Sequence, residues 1–196
     1  FMVGEQKVEL HPDATLVPIE PATILFHQAA ATDINVTAAQ PLINAESRSA
    51  DDASGIHFLK QHLFHLTQCT PLERNASGLL VLTQDWRVSR KLLDDAATIE
   101  QEYVVEVAGE LSADGLKFLN HGLKFNGRAL APIKVSWQNE TKLRFAVKGL
   151  LAGQITHACI TVGLQVVALK RIRIGRVALA KLPPASWRYL MPHEKF

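Results

Sequence analysis

Apolar positions in this chain fall mostly into short runs and alternations rather than long amphipathic stretches. Leu79-Leu80-Val81-Leu82, bounded by Gly78 and by Thr83-Gln84-Asp85, is the pattern of a strand buried on both faces. Thr23-Ile24-Leu25-Phe26 predicts an earlier strand of the same sheet. Residues 101–107 alternate, with Tyr103, Val105 and Val107 on one face and Glu102, Val104 and Glu106 on the other. Residues 133–137 and 143–147 alternate as well. Residues 165–174 predict a long strand on which Ile172 and Ile174 oppose Arg171 and Arg173. Residues 123–130 predict a hairpin turning at Asn126-Gly127.

Helical spacing is rarer. Ile56, Leu59, Leu63 and Leu66 predict a helix over residues 55–66. Asp85 is placed to cap another, running to about Asp95, with Trp86, Val88, Leu92 and Leu93 as its apolar positions. Ser112-Ala113-Asp114 opens a third, carrying Leu116 and Leu119 and ending near Gly122. Residues 153–162 predict a fourth that buries Ile155, Ala158, Cys159 and Val162 and stops at Gly163. Residues 1–22 read as an extended lead-in, weakly alternating at Lys7-Val8-Glu9-Leu10 and barred from a long helix by Pro12, Pro18 and Pro21. Residues 29–54 read as a long loop, of the kind that carries function or moves. Strands and helices intermix without regular alternation, which predicts an α+β fold with a mixed, mostly antiparallel central sheet. Residues 23–196 then form one domain, with room for two lobes.

Composition narrows the class. Hydrophobic content of 47% and charged content of 20% are those of an ordinary globular domain. No apolar run approaches the roughly 18 residues of a membrane span, and Phe1-Met2-Val3-Gly4 is no signal peptide. Cys69 and Cys159 make neither a disulfide framework nor a C-x-x-C metal pair, so the expected location is the cytoplasm. His62 and His65 are spaced three apart, as zinc ligands on a helix are. No third and fourth donor is offered, so they read as a solvated or RNA-facing cluster, and no metal is expected. Charge is segregated: residues 1–66 hold eight acids and three bases, and residues 67–114 nine acids and four bases. Residues 115–196 hold fourteen bases against Glu140 and Glu194. Because these bases lie within patterned strands, they point to a surface for a polyanion rather than to a solubilising tail.

Candidate chemistry centres on residues 71–83, P-L-E-R-N-A-S-G-L-L-V-L-T, a polar turn-prone loop with Glu73 and Arg74 ahead of the buried strand. This stretch resembles the R-L-D-x-x-T-S-G-L-L-x-L-T signature of bacterial ribosomal RNA pseudouridine synthases of the RsuA-like branch. Several spaced segments follow in the family's order. Gln101-Glu102-Tyr103 resembles its K-E-Y, and the segment from Gly122 to Arg128 its G-V-x-x-x-G-R. V-V-A-L-K-R-I-R-I-G at 166–175 resembles its V-x-x-L-x-R-x-R-I-G, and Leu182-Pro183-Pro184 with Trp187-Arg188 its L-P-x-G-x-W-R.

What the resemblance implies is a pseudouridine synthase fold with a cleft across the sheet, acting on structured, ribosomal RNA without cofactor, as a monomer. It places the catalytic Asp on Glu73, the base-packing Tyr on Tyr103, and the Arg that pairs with the catalytic carboxylate on Thr156. The motif's own Arg falls on Pro71, its Thr on Ala76, its K-E-Y Lys on Gln101, and a Lys-Pro pair on His27-Gln28. The frame is kept and the reactive centre altered, so the expectation is reduced or lost turnover. Many members of the branch carry an S4-type RNA-binding domain ahead of the catalytic one, for which 196 residues leave no room; a start at Phe1 reads as that of a trimmed or processed chain.

From residue pattern alone, Glu73 reads equally as a catalytic carboxylate or a surface loop acid, and Tyr103 as a base-stacking or a core aromatic. Lys170, Arg171 and Arg173, with Arg74, are the candidate RNA phosphate contacts; a solvated strand face is the alternative. The function classes left open are an RNA pseudouridine synthase and a non-catalytic RNA-binding or ribosome-assembly protein on the same fold. A carboxylate-dependent hydrolase is the third, for which Glu73 has no partner acid at a defined spacing.

Overall fold

The computed structural model describes residues 18–30, 36–73, 75–121 and 123–196. Eleven strands are formed among them. They are β1 (Thr23–Gln28), β2 (Thr67–Cys69), β3 (Ser77–Thr83), β4 (Glu100–Ala108), β5 (Lys124–Phe125), β6 (Arg128–Ala129), β7 (Lys134–Trp137), β8 (Lys142–Lys148), β9 (Gln165–Ile174), β10 (Val177–Ala178) and β11 (Trp187–Tyr189). The helices are α1 (Val36–Ala39), α2 (Trp86–Asp94), α3 (Gly115–Asn120) and α4 (Gln154–Thr161). The lead-in expected at residues 1–22 lies largely outside the described residues.

The main sheet runs β11-β1-β3-β9-β4-β8-β7, with β2 alongside β3 and β10 alongside β9. Every pairing in it is antiparallel except one, β3 with β9, at its centre. This is the expected α+β class with a mixed, mostly antiparallel sheet. β3 takes the middle because its run has no polar face: Leu79, Leu80, Val81 and Leu82 are all fully buried. Leu80 and Leu82 join Ile24, Phe26, Trp187 and Tyr189 in one cluster, while Leu79 and Val81 join Leu25, Leu92 and Ile174 in another. A third cluster holds Tyr103, Val105, Leu143 and Phe145 beneath α3 and α4.

The central parallel contact is short. Only Ser77 with Lys170 and Gly78 with Arg171 pair; beyond them β2 takes over the edge of β3, and β10 that of β9. The two central strands therefore fork. At the apex Gly78 has φ +112°, and a Cβ there would lie 2.1 Å from the Arg171 carbonyl oxygen. Only glycine lets the backbones approach so closely.

Local signals with a single physical outcome are realised. Asp85 caps α2, its Oδ1 accepting the Arg87 N–H at 2.9 Å. Asn126 and Gly127 both take positive φ between β5 and β6, the geometry of a tight primed turn. α4 buries Ile155, Ala158 and Cys159, with Val162 just past its end.

Residues 55–66 differ from expectation. They form extended coil with a single 3-10 turn, Lys60–Leu63, because Gly55 turns at φ +73° and Ile56, Phe58 and Leu63 pack singly against the Trp187–Tyr189 cluster. His62 points inward, 4% exposed, with Nδ1 2.6 Å from the Tyr189 hydroxyl, so the solvated histidine cluster is not formed. On α2, Trp86 and Leu93 stay exposed and Leu92 alone is buried; nine residues give one contact stripe too narrow for all four apolar positions.

Candidate functional site

The fork between β3 and β9 opens a cleft of about 310 Å3, lined by Glu73, Gln101, Tyr103 and Arg171, with Leu93 and Leu151 at its margin. Sequence neighbours explain how each arrives. Cys69 ends β2, and the chain must return within seven residues to begin β3 at Ser77. It does so through a turn in which Ala76 N–H bonds the Glu73 carbonyl at 3.0 Å and Asn75 takes φ +67°. That turn carries Glu73 to the fork. Tyr103 and Gln101 sit two apart on β4 and face the cleft together.

Arg171 anchors the assembly. It is 1% exposed. Its Nε and Nη2 donate to the Leu79 carbonyl at 2.9 and 2.7 Å, and Nη2 donates to the Thr70 carbonyl at 2.6 Å. Its Nη1 reaches Gln101 Oε1 at 3.3 Å and the Tyr103 hydroxyl at 3.5 Å. The guanidinium thus spans the gap where the strands part and ties the start of the Glu73 loop to the sheet. Charge-assisted bonds to carbonyls suit this position because the buried cation needs several acceptors.

Glu73 is half-buried, and burial holds its carboxyl above the usual carboxylate range; a hydrogen bond from the Gly153 N–H works the other way. Gly153 precedes α4, so the carboxylate meets the positive end of that helix. Glu73 Oε1 is buried without a hydrogen-bond partner among the described residues. Tyr103, 3% exposed, donates its hydroxyl to Gln101 Oε1 at 2.8 Å. Its phenol is pushed up by burial, an effect the Arg171 charge opposes and the Glu73 charge reinforces. Arg171 is the one cation among the described residues lining the cleft. Thr156, half-buried in the first turn of α4, is neutral and brings no positive charge to Glu73.

Of the residues singled out from sequence, Glu73, Tyr103 and Arg171 are brought together. Arg171 and Arg173 do not share a phosphate-facing strand face. A register shift opposite Glu102 and Tyr103 turns Arg171 into the cleft, while Arg173 bonds Glu100 and Glu102 at 2.6 Å each. Arg144 also pairs with Glu102, closing a four-member ion network across β4, β8 and β9. Lys170 is half-buried outside the cleft, where its charge helps hold the His27 imidazole below its usual range, after burial as the main cause. Arg74 lies outside the described residues. Sequence reasoning did not place Gln101 and Gly153 in the site. The period of two from Tyr103 was a usable signal for Gln101; nothing local marked Gly153.

No family model matches the chain. In overall shape it superimposes on a crystal structure of a pseudouridylate synthase with a TM-score of 0.71, over 88% of this chain and 71% of that one, at 16% identity. The fold is that of a pseudouridine synthase. Sequence relatives agree. The chain is 30% identical over 124 residues to the ribosomal large subunit pseudouridine synthase B of Yersinia pestis, covering 61% of this chain and 39% of that protein. It is 29% identical over 126 residues to the ribosomal small subunit pseudouridine synthase A of Vibrio cholerae, covering 63% and 54%. The chain thus spans about two-fifths to half the length of these relatives, and its own pseudouridine synthase fold places Glu73, Tyr103 and Arg171 in one cleft.

Proposed function

We propose that this chain binds structured, ribosomal RNA through the Glu73 cleft and converts uridine to pseudouridine there at a reduced rate. The observation that carries the reading is the Glu73 carboxylate itself, half-buried beside Tyr103, with one oxygen unpartnered among the described residues. Pseudouridine formation breaks the N-glycosidic bond, turns the base and rejoins it through carbon. It needs one ionised carboxylate aimed at the sugar or base, with no metal or cofactor, and a monomer in the cytoplasm suffices.

The same observation argues for slow turnover. A carboxyl raised by burial is ionised less readily, and an adjacent guanidinium would correct this by favouring the charged form. Thr156 supplies none, and Arg171 is committed to carbonyl groups. Glu73 also reaches one methylene further than an aspartate. A misplacement of about 1 Å costs roughly a hundredfold in rate. Taken to its limit, this gives the second reading, an RNA-binding protein without turnover.

Tritium release from ribosomal RNA labelled at uracil carbon-5 tests both. The parent chain is expected to release tritium slowly, Glu73→Gln not at all, and Glu73→Asp combined with Thr156→Arg faster than the parent. Silence from every variant, with RNA still bound, overturns the catalytic reading in favour of the binding one. Absence of RNA binding overturns both.

A further inference from the structure

A second cavity, about 640 Å3, shares no lining residue with the Glu73 cleft. It is assembled from three segments distant in sequence: Ser49 with Asp51, residues 176–182, and residues 188–195. Its floor is apolar, formed by Leu179, Leu182 and Met191 among others. Its rim is cationic. Arg176, Lys181, His193 and Lys195 are all exposed, and Arg176, Lys181 and Lys195 make no ion pair among the described residues.

The acids of the rim do not cancel this charge. Glu194 is consumed by Arg188, which donates to its two oxygens at 2.6 and 2.8 Å, and Glu194 Oε2 also accepts the Met191 N–H at 2.9 Å. These bonds hold residues 188–194 in a fixed bend, so one wall is pre-shaped. Only Asp51 remains as an acid without a charged partner among the described residues. The backbone of Phe196 packs 3.1 Å from where a Cβ on Gly175 would lie, closing residues 191–196 over the β9–β10 turn.

We infer that this basin is a second RNA-contact site, holding a phosphodiester segment of the RNA on Arg176, Lys181 and Lys195 with a base against the apolar floor. The inference rests on the proposed RNA reading and adds to it a place for nucleotides outside the cleft. Charge and shape favour this occupant. Three cations without an ion-pair partner among the described residues, set around an apolar floor, match the alternation of phosphate and base along a single strand. The two sites are connected: Arg171 of the cleft lies on β9 three residues, about 10 Å, before Ile174, which pairs with Val177 of β10 at the basin's edge.

The test is the salt dependence of binding to a fluorescein-labelled fragment of unmodified ribosomal RNA, read by anisotropy from 50 to about 300 mM salt. Arg176→Gln, Lys181→Gln and Lys195→Gln together are expected to flatten the slope of log affinity against log salt by about 2, since each lost single-strand phosphate contact removes roughly 0.7. Asp51→Lys is expected to steepen it. All four side chains are exposed, and unchanged thermal unfolding of the variants verifies that the fold is kept. If the parent binds RNA and the triple variant keeps the same slope, the basin is not an RNA site, while the cleft reading stands. A triple variant that loses binding to polyglutamate but not to RNA marks the basin as a protein site and overturns the inference. If the parent binds no RNA, the cleft reading and the basin fall together.

Discussion

Replacing Gly78 by alanine should do more damage than any other single-methyl addition at the described glycines of this fold. The methyl carbon would lie 2.1 Å from the Arg171 carbonyl oxygen and 2.7 Å from its amide nitrogen. Both atoms are backbone, and β9 is held on its far side by β4 along most of its length, so it has no freedom to retreat. The strands must part by more than about 1 Å, which for overpacking costs about 1–3 kcal/mol. The positive φ adds about 1–3 kcal/mol of backbone strain for a residue with a side chain. Arg171 moves with β9, weakening bonds to the Leu79 and Thr70 carbonyls that are worth about 1.5–3 kcal/mol when charge-assisted. Together these terms come to about 3.5–9 kcal/mol. For a domain of this size, at about 2–4 °C per kcal/mol, that corresponds to a fall in Tm of roughly 7–36 °C. Gly127→Ala provides the comparison. It has a positive φ too, yet nothing lies within 4 Å of its added methyl, so it should cost only the backbone strain, about 1–2 kcal/mol. Thermal and urea unfolding followed by tryptophan fluorescence would measure both. Equal shifts for the two variants would refute the argument that close backbone approach at the fork, rather than turn conformation, demands glycine at 78.

Other outcomes follow from the same structure. Glu73→Gln should stabilise the fold at neutral pH. Burial raises the carboxyl, so its contribution to stability is full below the unfolded-state pKa and is lost as pH rises through the folded one. The difference in urea midpoint between variant and parent should therefore close on acidification towards about pH 4, the range of an unperturbed Glu; a difference independent of pH would refute it. Cys69 and Cys159, fully buried with thiols pushed up to about 11 and about 12, should not react with iodoacetamide in the native state and should both react in urea. Mass spectrometry counts the adducts. Asn120→Leu should cost about 2–3 kcal/mol in urea unfolding, because Asn120 bonds the Leu116 carbonyl and both the N–H and carbonyl of Val135 at 2.8–2.9 Å, tying α3 to β7.

Residue pattern by itself determined the elements whose cause is local. Leu79-Leu80-Val81-Leu82 has no polar face and so goes to the sheet centre, Asn126-Gly127 satisfies a primed turn, and Asp85 caps α2 with its own carboxylate. The motif around Glu73 likewise marked a loop that the fold brings to one cleft with Tyr103 and Arg171. Tertiary structure alone decided the rest. Apolar spacing at residues 56–66 is helical, yet packing against the Trp187–Tyr189 cluster, more than 120 residues further on, holds the segment extended. A register shift between β4 and β9 turned Arg171 inward and left Arg173 among acids. Arg171 finds its carbonyl partner on Thr70 across 101 positions, and Glu73 meets Gly153 at the start of α4. Such contacts depend on which strands lie side by side, and strand order is set by the burial of whole faces rather than by any short run of residues.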